Sequence, residues 1–180
     1  MNFQRILCVV FSILLFIMCT PGSQNNLLDM LFNDNQDIVK RAIIASHKMG
    51  KSAIPLLIDS IDNARPMKII LESPRSSTIE IARPRGFVAA YLIEWILAID
   101  HIDPDDMMKS PYLLGNDLNN YIYSPCIVID GREALAEDLI VIKKLYQEWW
   151  RKNSFKELDE LRHEWKQNIR PLSGTAFSWQ

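Results

Sequence analysis

The chain has 180 residues, 48% hydrophobic and 23% charged, with a formal net charge of −2. This is the composition of an ordinary folded protein, of a length suited to one domain. Acidic and basic residues are interspersed, so no overall basic surface marks it for nucleic acid or an anionic membrane.

The N-terminus departs from the rest. Arg5 supplies one positive charge, and Ile6 to Cys19 then run with Ser12 as the single polar residue. Thr20-Pro-Gly-Ser23 follows, offering helix breakers and small residues. A short basic region, an apolar stretch and a small-residue exit form the pattern of a secretory signal peptide. The apolar stretch falls short of the roughly 20 residues that cross a bilayer. The expected organisation is a signal peptide over 1–23, cut after Gly22 or Ser23, and one helical domain over 24–180. The mature chain is then periplasmic or extracellular, without an integral membrane span. Lipid anchoring through Cys19 is the alternative, and it fits less well because the bulky Met18 precedes that cysteine. Cleavage removes Cys8 and Cys19, leaving Cys126 without an internal disulfide partner. Cys126 opens the apolar run to Ile129 and is expected to be a buried small hydrophobe.

In the mature region, Asn35 to Met49 places Ile38, Ala42, Ala45 and Met49 on one stripe, widened by Val39 and Ile43, which predicts an amphipathic helix. Gly50 is its expected stop, and Ser52 the expected cap of a second helix over Ala53 to Asp62, with Pro55 in the first turn. The short break predicts an antiparallel helical hairpin. Met49-Gly-Lys-Ser-Ala-Ile-Pro-Leu-Leu-Ile58 resembles the hairpin of a HEAT-type repeat, the likeness covering residues 35–62. That resemblance implies a short, irregular α-solenoid, with a helical bundle as the other arrangement.

Between Pro66 and Pro84, Ile69 and Leu71 face Ile79 and Ile81 across Ser73-Pro-Arg-Ser-Ser77. This suits a small β-hairpin near 68–82 or a long surface loop. Phe87 to Ile99 is apolar nearly all round and is the expected centre of the core. A polar, irregular stretch then runs from Asp100 to Pro125. Asp130-Gly-Arg-Glu133 and Ser154-Phe-Lys-Glu157 each have the spacing of a capping box. The first opens a helix to about Lys152 bearing Leu135, Leu139, Ile142, Leu145, Tyr146 and Trp149; the second opens one through Leu158, Leu161 and Trp165. The fold class expected is therefore mainly α.

The chain offers little recognisable chemistry. His47, His101 and His163 lack zinc-site spacing, Gly50-Lys51-Ser52 lacks the earlier glycine of a phosphate loop, and Asp100, Asp103, Asp105 and Asp106 lack the order of a calcium loop. No catalytic residue, metal or cofactor is expected. Glu94 stands out as a carboxylate inside the most apolar helix, where it needs a partner such as Arg83, Arg85 or a C-terminal Arg or Lys. Trp150 and Trp179 are the aromatic candidates for partner binding. The expected function is an exported, non-enzymatic helical domain that binds a protein, a periplasmic immunity-type protein against a toxin being one version. The alternatives are an exported hydrolase-type enzyme using Glu94 and an envelope-associated structural protein.

Overall fold

The computed structural model describes residues 21–72, 78–100 and 126–179. The apolar leader, the turn Ser73–Ser77, and the stretch with His101, Asp103, Asp105 and Asp106 lie outside the described residues.

The first helix, α1 (Pro21–Leu31), runs directly through the small residues after Pro21. It buries Leu27 and Leu31, one turn apart, and lies most extensively along α2 (Gln36–Met49). Asn35 caps α2, its side-chain oxygen accepting from the N–H groups of Asp37 (2.9 Å) and Ile38 (3.4 Å). That contact explains why the periodicity begins where it does. Val39, Ala42, Ile43 and Ser46 form the buried stripe.

Beyond Gly50 the structure corrects the expected second helix. The Ser52 hydroxyl donates back to the Met49 carbonyl (2.7 Å) instead of capping forward. The chain makes one 3-10 turn, Gly50–Ala53, and then a short α3 (Ile54–Asp59) with Pro55 in its first turn. It tightens at once into i→i+3 bonds from Ser60 to Leu57 and from Ile61 to Ile58. The backbone must turn there because Ile61 packs against Gly86, whose N–H donates to the Asn63 carbonyl (2.9 Å).

Strands β1 (Pro66–Glu72) and β2 (Thr78–Pro84) form an antiparallel pair with Ile69 opposite Ile81. The hairpin is therefore real, and the flanking prolines pair with each other at its base. A two-stranded ladder has only edge strands, so prolines are tolerated at that position.

Helix α4 (Arg85–Ala98) follows immediately and is the hub. Phe87, Ala89, Ala90 and every residue from Leu92 to Leu97 are buried. It packs on α2, α3 and the later helix α6 (Leu158–Lys166). Its C-terminal end is held by two side chains: Arg162 Nε donates to the Ile96 carbonyl (3.2 Å) and His47 Nε2 to the Ile99 carbonyl (2.9 Å). Both donors satisfy free carbonyls at the end of the helix, and the Arg162 cation also complements its dipole.

After the undescribed stretch, β3 (Ile127–Ile129) turns through Asp130 and Gly131 into β4 (Arg132–Glu133). Both turn residues have positive φ, 49° and 79°. The Asp-Gly pair thus makes a tight hairpin and not the expected capping box; its two positive φ values suit a two-residue connection between strands. Asp138 takes the capping role, accepting from the Leu135 N–H (2.8 Å) ahead of a 3-10 turn and α5 (Leu139–Asn153). Leu135 accordingly lies outside the helix and is exposed. The second expected capping box also gives way. The Ser154 N–H donates to the Trp150 carbonyl (2.7 Å), closing α5, and Glu157 precedes α6 without a side-chain cap. Finally, β5 (Phe177–Trp179) pairs with β3, giving a sheet ordered β4-β3-β5. The architecture is mainly helical with two small antiparallel sheets. Among the described residues no helix is long and apolar enough to cross a membrane.

Candidate functional site

Glu94 organises the most distinctive cluster. It projects from the middle of α4 and is only 6% exposed. Tyr146, from the buried face of α5, donates its hydroxyl to Oε1 (2.7 Å). Trp165, from α6, donates its indole N–H to Oε2 (2.6 Å). Trp179, on β5, donates its indole N–H to the Tyr146 oxygen (3.1 Å) and stands edge-on to Tyr91 at 5.9 Å between centroids. The guanidinium of Arg170 lies 4.1 Å from the centre of the Trp165 ring. One carboxyl group therefore ties α4 to α5, α6 and the C-terminal strand.

The direction of this chain is fixed by chemistry. An indole N–H donates and cannot accept, so both tryptophans donate inward, and the tyrosine hydroxyl that takes the Trp179 bond donates to the carboxylate whenever Glu94 is ionised. An ionised Glu94 accepts every donor, but it is a buried charge whose cationic partner among the described residues, Arg170, stands at a distance, which costs several kcal/mol. A protonated Glu94 forfeits one hydrogen bond, worth about 1 kcal/mol. Burial prevails: it holds the carboxyl above its ordinary range, against the opposing pull of Tyr146, Trp165, Arg170 and Trp179. Burial, and the Glu94 carboxyl beside it, also keep the Tyr146 hydroxyl protonated well beyond its usual range. Tyr91 is pushed up to about 12 by burial.

The arginines expected as partners go elsewhere. Arg83 pairs with Glu133, and Arg85 lies over the Phe32 ring at 5.3 Å. The C-terminal cation is Arg170, which acts through the field across Trp165 and makes no direct bridge to Glu94. Tyr146 and Trp165 looked like plain stripe residues in the sequence. Their polar tips were the signal that could have paired them with the buried carboxylate of Glu94.

The two aromatic candidates are not free-standing. Trp150 is half-buried against the core, its ring 5.9 Å from that of Trp149. Trp179 is docked, as described. Cys126 is half-buried at the entry to β3 rather than fully buried, since it precedes the strand that enters the core. Asp100 accepts from Lys166 (2.7 Å), which holds its carboxyl below the usual range. Among the described residues no three His, Cys, Asp or Glu side chains stand together as a metal site. No protein-family model, curated protein or solved structure matches the chain.

The exposed surface carries a second feature. Leu135, Ile140 and Val141, all about half exposed or more, lie close in sequence around the start of α5. Ile140 and Val141 are consecutive in the first turn of α5, pointing about 100° apart, and Leu135 stands before the 3-10 turn that leads into it. Phe155, in the connection between α5 and α6, is 77% exposed, and Ile169 is also exposed.

Proposed function

We propose that this chain is an exported, non-enzymatic helical domain that holds a protein partner, with a periplasmic immunity-type protein as its most concrete form. The observation that carries this reading is the apolar group Leu135, Ile140 and Val141 at the head of α5. Large apolar side chains left this exposed are candidate anchors for a partner, although single exposed apolar residues are also normal on a surface. Glu94 supports the same reading from inside. Both its oxygens are engaged by internal donors, so its evident work is to join elements.

The test is a pull-down from the source organism with the mature domain, followed by substitution of the retained complex. Ile140→Asp and Val141→Asp should weaken binding by about 2 kcal/mol or more, the scale of an interface anchor, while leaving the melting temperature nearly unchanged. Trp150→Ala and Trp179→Ala, the aromatic candidates, should instead cost stability in proportion to their packing. Retention of no partner, together with turnover of small substrates, would sink the binding reading and favour an enzyme.

A further inference from the structure

We propose that the C-terminal strand β5 is a proton-coupled latch: it closes over Glu94, and ionisation of that carboxyl opens it. The geometry supplies each part. β5 is held to the sheet by three residue pairs, Phe177 with Ile129, Ser178 with Val128 and Trp179 with Ile127. Its Trp179 indole reaches past the sheet to the Tyr146 oxygen, one bond from Glu94. When the strand is in place, the carboxyl is enclosed by α4, α5, α6 and β5. When it lifts, Tyr146 and the Oε1 side of Glu94 lose their cover, and water can solvate a charge there.

The groups around the carboxyl leave Glu94 as the responsive element. From α5 comes Tyr146 and from α4 Tyr91, both held protonated far above neutral pH. From α6 comes Trp165, which does not titrate, and from the tail Arg170, charged throughout. On α2, His47 is turned to the Ile99 carbonyl and the Trp95 ring, 5.3 Å away. Arg162 is engaged by the Ile96 carbonyl and Asp100. The closed form holds the Glu94 proton more firmly than an open, wetted form, consistent with burial raising the carboxyl above its ordinary range. By linkage, closure is firm at low pH and weakens as pH rises through the titration of the closed form. The change in opening is up to tenfold per pH unit for one coupled proton. This inference is independent of the protein-binding reading.

Hydrogen exchange on the full chain tests it. Opening of the segment around Phe177–Trp179 is compared with that of α4 from about pH 4 to about pH 8, after correction for intrinsic exchange. In the parent, tail opening should rise with pH while α4 stays protected. Glu94→Gln, uncharged at every pH, should flatten that rise. Equal slopes in parent and Glu94→Gln, or tail opening that falls with pH, would overturn the proposal. Should Glu94→Gln fail to fold, the carbon-13 titration of the Glu94 carboxyl decides the matter. Trp179→Ala, which removes the latch, should shift its midpoint down toward the ordinary carboxylate range. An unmoved midpoint would overturn the latch.

Discussion

Replacing Glu94 with alanine strands two donors, the buried Tyr146 hydroxyl and the half-buried Trp165 indole, and each orphan costs about 1–3 kcal/mol. Glu94→Ala should therefore lose roughly 2–6 kcal/mol in urea unfolding, with Tyr146→Phe losing roughly 1–3. A Glu94→Ala variant as stable as the parent would show that the cluster adds nothing. The pH dependence has a definite sign. Because burial raises the folded-state pKa, the folded protein holds this proton more firmly than the unfolded chain. The resulting stability is fully present below the ordinary carboxylate range and is lost as pH rises through the folded pKa. Urea midpoints measured across that window should fall in the parent and stay flatter in Glu94→Gln. The oddity of Glu94 was legible from its apolar neighbours alone. Its partners were not, because an arginine is the obvious counter-charge, whereas neutral donors are recognised only once distant helices meet. The Tyr146 and Trp165 contacts span 52 and 71 residues.

Among the elements, long periodic segments were legible: α2, α4, α5 and α6 lie close to where their apolar spacing placed them, and the 66–84 alternation became a hairpin. Starts and stops were harder because one short pattern serves two purposes. Asp-x-x-Glu opens helices, yet Asp-Gly also turns hairpins, and at Asp130-Gly131 the strand pairing of Ile127–Ile129 decided the outcome. The leading Pro21 and Gly22 read as breakers, which concealed α1; proline is in fact well suited to a helix's first turn. Two glycines offer a matched test. At Gly86 an added Cβ would fall 1.8 Å from the Ile61 carbonyl oxygen, so α3 and α4 would have to separate. At Gly131 nothing lies within 4 Å, and only the positive φ resists a side chain. Gly86→Ala should cost about 3 kcal/mol or more through backbone displacement. Gly131→Ala should cost only about 1–2 kcal/mol, the left-handed penalty. Equal thermal shifts for the two would contradict the close packing at Gly86.

At the scale of the whole molecule, the buried side chains form one cluster to which α1 contributes Leu27 and Leu31. Cleavage at Gly22 or Ser23 would fall in the first turn of α1 and leave both leucines in place. The native N-terminal residue should accordingly lie between Thr20 and Asn25, and an intact Met1 on protein recovered from the cytoplasm would refute export. Mature protein should also melt identically with and without reductant, since Cys126 is unpaired among the described residues. A marked drop on reduction would reveal a bridge between chains. The placement of α4 at the hub bears on how the chain reaches this state. Glu94 leaves the ribosome well before Trp165, which follows it by 71 residues, and Arg162 trails the carbonyl it caps by 66. Contacts so far apart in sequence make folding slow, because long loops must close before they are rewarded. A nascent chain thus carries its most apolar helix covered only on the side of α2 and α3 until the later helices emerge. Until α5 and α6 arrive, the Glu94 carboxyl lacks the Tyr146 and Trp165 donors that engage it in the folded protein.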